Sequence, residues 1–402
     1  MKKYHSILTI LILSLFMMWS ACDDFVQDVE PIFDEVPDDA LNDEEQIPFL
    51  SDGVKQRFAT THDNVVILSE GLGDAFFFDS NVPNATFPTF RDIDEGDITL
   101  DNNSVDGMFL DLGELRFFAD DLLRRINEIE ISDSEVEREA RFTGNLFGGI
   151  ARYFFATYMG LNPEEGGGVI DNGPFIPSSE MYDLALEKLQ QALTHVGSDY
   201  ETRVINSLIA RIHLYAGNTG SVRQFAEQGL VEGDDPFQSL HSTESTNLVW
   251  QQGGRGRTQY VVSQRFIDFV IADSAETVRI PLEPITGNDG VTVFQRQIKY
   301  PSERTPIDLI SWQENELMLA ELELDSDNAS ALARVNRVRA SHELAPLDAL
   351  DRQTFIDERA KELFLTGAEL PDQRRFGTFH LPAGRWQFLP ITERERNINP
   401  NF

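Results

Sequence analysis

Apolar residues recur at intervals of three and four along most of the chain after about residue 50. This spacing places them on one face of a helix, the face that packs against a core. It predicts two long helices, over residues 109–130 and 135–159, and shorter ones at about 307–324, 328–341 and 352–367. The apolar positions of the two long helices are Phe109, Leu112, Leu115, Phe118, Leu122, Ile126 and Ile129, then Val136, Ala140, Leu146, Ile150, Phe154 and Tyr158.

Residues 178–230 contain three such helical patterns, which are separated by short turns. Ser178 or Ser179 could cap the first helix, because a serine side chain can accept hydrogen bonds from the free amides of a helix start. Small residues stand where neighbouring helices would approach closely: Ala185, Ala192, Ala210 and Ala226. Stacked helix hairpins of the tetratricopeptide type have this pattern, although no strict period of about 34 residues is present.

Two long segments, residues 70–107 and 231–305, lack this periodicity and contain short β-branched runs and many Gly, Asp and Asn residues. Long loops inside a compact body usually carry function. The predicted fold class is therefore mainly α: a tetratricopeptide-like helix-hairpin scaffold with an irregular, loop-rich second half packed on it.

The first residues have the features of an export signal. Lys2 and Lys3 precede an apolar run that is too short to span a bilayer comfortably. Small residues then lead directly to Cys22, the only cysteine of the chain. The segment resembles a bacterial lipobox, so residues 1–21 are predicted to be a lipoprotein signal peptide and Cys22 the acylated residue. The alternatives are an ordinary signal peptide with a chance cysteine, or a membrane anchor.

Residues 23–46 carry eleven Asp or Glu and no Lys or Arg, a composition that repels itself and cannot bury enough apolar surface to order. Residues 22–50 are accordingly predicted to be the lipidated cysteine and a flexible acidic tether. Residues 51–402 are predicted to form a single binding domain. The formal net charge of -35 argues against a nucleic-acid partner, because phosphate binding requires clusters of Lys and Arg.

Catalytic and metal-binding motifs are absent from the sequence. The seven His residues are scattered without an HExxH pair, and there is no GxSxG or phosphate-binding loop. No catalytic residue, metal or cofactor is predicted. Glu316 with Glu321, or Glu358 with Glu362, could act as the acid and base of a glycosidase. Their positions on predicted helices beside Arg favour structural ion pairs, and a packing clasp is predicted from Glu358, Arg359, Glu362, Asp372, Arg374 and Arg375.

The order of these features resembles the SusD/RagB family of nutrient-binding outer-membrane lipoproteins, the starch-utilisation D-type proteins. Besides the lipobox and acidic tether, four segments carry the resemblance: residues 138–160, 182–217, 316–339 and 358–377, with LPIT and NPNF closing the chain. The last segment, ERAKELFLTGAELPDQRRFG, is the most specific. The chain departs from the family at Thr366, before Gly367, and at Glu369, where a basic residue is usual. That reversal must alter a local ion-pair network.

The resemblance implies non-catalytic capture of an oligosaccharide or a peptide at the cell exterior. It also implies a lipid anchor in the outer membrane and a TonB-dependent outer-membrane transporter as partner. Two other classes stay open. One is a helical surface glycan hydrolase, and the other is a repeat-type adaptor that binds only proteins.

Two loops carry the composition of a sugar-binding surface, because aromatic rings stack on the apolar faces of sugars while polar side chains bond the hydroxyl groups. They are residues 74–90 and 247–260. The predicted ligand-binding residues are Phe76, Phe77, Phe78, Phe87, Trp250, Gln252, Arg255 and Tyr260. The alternative for each aromatic residue is that it anchors its loop to the core.

Overall fold

The structure is a computed structural model that describes residues 37–402. The predicted signal peptide, Cys22 and the first part of the predicted tether lie outside the described residues. The chain divides into two units between Gln46 and Ile47, and Ile47–Phe402 is the larger, compact one. The described part of the first unit consists of two short 3-10 turns, Asp38–Leu41 and Glu44–Gln46. The second unit begins at Ile47, four residues before the predicted boundary at residue 51.

The first half of the second unit is built from helices. They are α1 (Ile47–Leu72), α2 (Pro88–Asp94), α3 (Asn103–Glu128), α4 (Ser134–Tyr158), α5 (Ser178–Ala192), α6 (Asp199–Tyr215) and α7 (Thr219–Ala226). The side chain of Asn102 caps α3 and that of Asp133 caps α4, each by accepting hydrogen bonds from two backbone amides. Helix α4 packs between α3 and α5, and α1 packs on α3.

Seven further helices complete the described chain. They are α8 (Leu248–Gly253), α9 (Gln264–Ala272), α10 (Trp312–Glu323), α11 (Asn328–Ser341), α12 (Arg352–Glu362), α13 (Glu369–Phe376) and α14 (Glu393–Ile398). Two short 3-10 helices are also present: Leu193–His195 lies between α5 and α6, and Ser274–Val278 lies between α9 and α10. The mainly α scaffold of helix hairpins with a loop-rich remainder is confirmed. None of the helices within residues 37–402 is long and apolar enough to cross a bilayer.

Three details of the sequence prediction were wrong. The helix predicted at about 307–324 begins at Trp312, because Ser311 caps it and Ile307–Ile310 forms a strand instead. The helix predicted to reach Gly367 ends at Glu362. Ser178 does not cap α5 but is its first residue, and its hydroxyl donates to the carbonyl of Ala156.

The strands are short and form four small sheets. The strand β10 (Leu389–Pro390) pairs with β2 (Met159–Asn162), which pairs with β3 (Glu165–Gly168) and, through it, with β4 (Ile176–Pro177). The other sheets are three pairs: β1 (Phe76–Phe77) with β6 (Val261–Val262), β5 (Phe237–Ser239) with β9 (Ile307–Ile310), and β7 (Leu282–Thr286) with β8 (Val293–Gln297). They tie the loop-rich segments to each other and to the helices.

The predicted clasp is confirmed at Arg359, Asp372 and Arg375, whereas Arg374 donates to the backbone carbonyls of Thr157 and Gln387 and not to a carboxylate. Arg359 is fully buried, and its guanidinium donates to Asp372, which also accepts from Arg375 at 2.6 Å. Glu358 is held by Arg279 and by Arg339, at 3.0 and 2.8 Å. The clasp therefore pins α12 to α13, since planar guanidinium groups bind carboxylates in fixed geometry. Elsewhere, Glu369 is buried and pairs with Arg265.

Candidate functional site

The two loops predicted to bind a ligand lie side by side. Phe76 pairs with Val262 and Phe77 with Val261 in the antiparallel β1–β6 sheet. The side chain of Gln259 extends the junction, because its Oε1 accepts from the backbone amides of Thr86 and Phe87, at 2.8 and 3.1 Å. Two loops about 170 residues apart in the sequence are thus joined by hydrogen bonds.

A third segment joins them, the β7–β8 hairpin. The amides of Asn288 and Asp289 donate to the backbone and side-chain oxygens of Asn81, at 2.7 and 2.9 Å. The ring of Phe294 lies 6.2 Å from that of Phe77. The sequence analysis had noted only a β-branched run here. We call residues 74–90, 247–262 and 282–297 together the loop cluster.

Two of the predicted aromatic residues offer no ring face to a ligand. Phe76 and Tyr260 are fully buried and stack on each other, with ring centroids 5.7 Å apart. Tyr260 also stacks on Phe90, and its hydroxyl donates to the Phe90 carbonyl at 2.7 Å. These rings anchor their loops to the core, and the Tyr260 hydroxyl has its hydrogen-bond partner within the core. For these two residues the core-anchor interpretation fits the structure.

The remaining predicted residues differ in how far they reach the surface. Phe77, Phe78, Phe87 and Trp250 are half-buried, and Arg255 is exposed. Gln252 is buried, and its Oε1 has no hydrogen-bond partner within the described chain. Arg255 pairs with Glu283 of the hairpin, at 2.9 Å. The rings still open to a ligand are therefore those of the four half-buried aromatic residues.

Arg257, which the sequence analysis did not select, lies beside them. Its guanidinium carbon stands 4.6 Å from the centre of the Phe87 ring, and one nitrogen donates to the Thr86 hydroxyl at 2.8 Å. Such a cation–π contact keeps a flat guanidinium at the surface with donors left over for a ligand. Its place in the predicted loop, two residues after Arg255, was the sequence signal that could have identified it.

A carboxyl next to the loop cluster, Asp94 at the end of α2, has altered acidity. Burial, together with the nearby carboxylates of Asp74 and Glu95, raises the pKa of Asp94 to about 7. Its Oδ2 accepts from the backbone amide of Phe78 at 3.1 Å, a bond that favours the ionised form. The position of Phe78 is thus coupled to a group that titrates near neutral pH.

One set of side chains has the residue types of a nucleophilic triad. The Oγ of Ser239 lies 3.3 Å from Nε2 of His241, whose Nδ1 lies 3.7 Å from a carboxylate oxygen of Asp63. Ser239 is completely buried, however, and its hydroxyl also contacts Nδ1 of His62 at 2.9 Å. Burial lowers the pKa of His241 to about 4 and raises that of Asp63. The set is a polar network within the core, with no exposed nucleophile.

The carboxylates considered as a glycosidase pair are engaged in ion pairs. Glu316 contacts Arg334 and Arg337, at 3.0 and 3.2 Å, and Glu321 contacts Arg375. Residues 37–402 contain no cluster of three or more His, Cys, Asp or Glu side chains that could hold a metal ion.

Comparisons with known proteins bear on the fold. No protein-family model matches the sequence, and no curated protein is significantly similar to it. Solved structures do match. A SusD superfamily protein from Bacteroides vulgatus ATCC 8482 aligns with a TM-score of 0.70 and 13% identity, over 89% of this chain and 98% of that one.

Two further matches have descriptive names. A laminarin-binding SusD-like protein aligns with a TM-score of 0.66 and 14% identity, over 89% of this chain and 99% of that one. NanU of B. fragilis aligns with a TM-score of 0.67 and 12% identity, over 92% of this chain and 98% of that one. At such identities the likeness establishes the architecture of the chain and leaves its ligand to be argued from the residues.

Proposed function

The chain has the fold of the SusD superfamily, and we propose that it captures an oligosaccharide at the cell surface without cleaving it. We further propose that it delivers this ligand to a TonB-dependent outer-membrane transporter. The likeness of fold supports the capture role, since one protein of this fold is named for binding laminarin, a carbohydrate.

The observation that carries the proposal is the junction of the two predicted loops. These loops carry half-buried rings at Phe78, Phe87 and Trp250, and the exposed guanidinium of Arg257 lies over the Phe87 ring. A sugar ring has an apolar face and a rim of hydroxyl groups, so it can stack on an aromatic ring while its rim bonds the polar side chains.

The loop cluster is also held in place before any ligand arrives. The β1–β6 pairing and the Gln259 side chain join its first two segments, and Asn81 joins the hairpin. Ordering a loop on binding reduces affinity, so a surface fixed in advance retains more of its contact energy for the ligand. This rigidity supports a binding role for the cluster.

The membrane anchor and the partner rest on the sequence. We propose that Cys22 is lipidated, that the acidic residues after it form a tether, and that the folded unit faces the cell exterior. The small residues before a single cysteine and the eleven acidic residues of 23–46 support this arrangement. A mass measurement of the membrane-extracted protein tests it, with an acylated N-terminal Cys22 as the expected result.

The capture proposal is tested by screening the purified protein against glycan and peptide arrays, followed by calorimetry and product analysis of the hits. We expect a neutral or weakly charged oligosaccharide to bind and to be recovered intact. Phe87→Ala or Trp250→Ala should weaken binding by at least about tenfold, which corresponds to about 1.4 kcal/mol. Phe49→Ala is the matched control, because this exposed phenylalanine on α1 lies outside the loop cluster.

The other outcomes separate the rival classes. Release of shortened sugars that persists in repeatedly purified protein would move the chain to the glycan hydrolases. Retention of peptides alone would indicate a peptide-capturing protein. Binding of whole proteins with no small ligand would indicate an adaptor.

A further inference from the structure

We propose that the protein has a second binding site, for a neutral oligosaccharide, in a cleft between α3 and α14. We call it the α3 cleft. It is separate from the loop cluster, and its existence does not depend on what the loop cluster binds.

The α3 cleft has an apolar wall that the core does not cover. Phe109, Leu110, Gly113 and Phe117 follow one another at helical spacing on α3, and Ile398 of α14 lies across from them. Together with polar neighbours they line a cavity of about 350 Å³. Phe117 is 51% exposed, Leu110 48% and Ile398 65%, so the wall is open to solvent. Large apolar side chains that cluster at a concave surface indicate a binding site rather than chance exposure.

Next to this apolar wall, the α3 cleft continues into a second cavity that is lined by polar side chains. A neighbouring cavity of about 250 Å³ shares Asp106 and Arg394 with the first one. Its other polar lining side chains are those of Asp101, Asn103, Glu393 and Asn397. Carboxylates accept hydrogen bonds, guanidinium groups donate them, and amides do both, which suits a chain of hydroxyl-bearing rings. The α3 cleft therefore offers a stacking surface and, next to it, a surface for hydroxyl groups.

An unpaired buried hydroxyl supports this assignment independently. Thr392 is only 1% exposed and lines the first cavity, yet its Oγ1 has no hydrogen-bond partner within the described chain. A buried hydroxyl without a partner destabilises the protein, and native structures leave few such groups. A ligand hydroxyl in the cavity would supply the missing partner once the Thr392 side chain turns its Oγ1 toward the cavity.

The walls of the α3 cleft are fixed by contacts between distant parts of the chain. The amide of Glu393 donates to the carbonyl of Leu100 at 2.8 Å, and Asn399 donates to the carbonyl of Gly173 at 2.8 Å. On the opposite side, Arg116 pairs with Asp171 at 2.5 Å. These contacts tie the ends of α14 to Leu100 and to the 171–173 loop, and α3 to the same loop, so the cleft is formed without a ligand.

The charge of the lining restricts the ligand class. The two cavities are lined by more carboxylates than guanidinium groups, namely Asp101, Asp106, Glu114, Asp171, Glu393 and Glu395 against Arg116 and Arg394. Arg116 is already paired with Asp120 and Asp171. Like charges repel, so sulfated sugars, uronic acids and phosphates are disfavoured. A neutral oligosaccharide fits both the apolar wall and the acidic rim.

Two glycines of α3 provide a matched test. A Cβ atom added at either Gly113 or Gly107 points into open space, with no atom of another residue within 4 Å, but only Gly113 lines the cleft. Gly113→Leu should fill the cleft, while Gly107→Leu adds the same side chain to the same helix outside it. Because glycine is a poor helix former, neither change should lower the melting temperature.

The experiment is calorimetry of the purified protein with maltohexaose, laminarihexaose and xylohexaose at millimolar concentration. We expect Gly113→Leu to weaken the binding of at least one of these sugars by tenfold or more, and Gly107→Leu to leave it unchanged. In the Phe87→Ala background the remaining binding should disappear when Gly113→Leu is added.

Each other result has a defined meaning. If Phe87→Ala removes all binding and Gly113→Leu changes nothing, the α3 cleft is overturned and the loop cluster stands. If Gly113→Leu removes all binding and Phe87→Ala changes nothing, the α3 cleft stands and the proposed loop site fails. If none of the three sugars binds the unmodified protein, the proposal of a site for neutral oligosaccharides in the α3 cleft is overturned.

Discussion

The loop cluster and the α3 cleft both combine aromatic rings with polar side chains, yet they use these groups differently. In the loop cluster most polar groups bond the protein itself: Gln259 spans two loops, and Tyr260 donates to the Phe90 carbonyl. In the α3 cleft Phe117 faces solvent and the Thr392 hydroxyl has no partner within the described residues. The comparison shows that aromatic residues in a loop can anchor that loop to the core. Exposed rings and polar groups without a protein partner instead indicate a surface that can contact a ligand.

The largest expected difference concerns stability. Phe76→Ala should destabilise the protein by about 3–5 kcal/mol, because it leaves a cavity beside Tyr260 in the core. Phe117→Ala makes the same chemical change at an exposed position and should change the free energy of unfolding by no more than about 0.5 kcal/mol. Chemical denaturation measures both. Equal losses of stability in the two variants would contradict the conclusion that Phe76 stabilises the core and that Phe117 does not.

The next prediction concerns Glu70, which lies near the end of α1, shortly before the loop cluster begins at residue 74. Its Oε1 accepts from the amide of Gly367 at 2.6 Å, and burial raises its pKa from 4.5 to about 8. Between these pH values the unfolded chain releases this proton while the folded chain keeps it. Protonated Glu70 therefore makes its full contribution to the free energy of unfolding below pH 4.5. This contribution is lost as the pH rises through about 8.

Glu70→Gln removes the titrating proton and keeps the acceptor for Gly367. Relative to the unmodified protein, the variant should gain stability as the pH rises from 4.5 to 8, by at most about 1.4 kcal/mol per pH unit. Urea unfolding at a series of pH values checks this, with the exposed Glu393→Gln as control. Parallel stability curves for Glu70→Gln and the unmodified protein would show that Glu70 is ionised in the folded state.

A smaller effect is expected for Tyr260→Phe. The change keeps both ring stacks and removes only the hydroxyl that donates to the Phe90 carbonyl. Loss of one buried hydrogen bond should destabilise the protein by about 1 kcal/mol and leave oligosaccharide affinity unchanged. A marked loss of affinity with unchanged melting temperature would instead place the Tyr260 hydroxyl at the ligand.

The smallest effect on stability is expected for Arg257→Ala. Its guanidinium is exposed and lies over the Phe87 ring, so its removal should change the free energy of unfolding by less than about 0.5 kcal/mol. The affinity for an oligosaccharide should nevertheless fall, because the side chain offers free donors beside a stacking ring. Arg304→Ala, another exposed arginine, is the control for binding titrations. Unchanged affinity in Arg257→Ala would remove this residue from the site.

The sequence predicted much of the scaffold because helices are encoded locally. The apolar spacing of residues 135–159 and the capping side chain of Asp133 give α4 without reference to the rest of the chain. The predicted clasp around Arg359 followed from complementary charges at close positions in the sequence. The two predicted loops are joined through Gln259, and the sequence alone did not predict this junction.

Exposure could not be predicted in the same way. Phe118 belongs to the apolar stripe of α3 by spacing, yet it is 38% exposed, because the packing partners of a helix decide which part of its stripe is covered. The α3 cleft combines α3 with α14, which lies more than 260 residues later in the chain. Tertiary contacts at that separation leave no local pattern in a single sequence.

The most direct test of the central claim is equilibrium dialysis of the purified protein against a pool of neutral and acidic oligosaccharides, read out by mass spectrometry. The account predicts that at least one neutral oligosaccharide is retained by the protein and keeps its full mass after prolonged incubation. Retention of no oligosaccharide, or the appearance of shortened products, would contradict the claim that this chain captures a glycan without cleaving it.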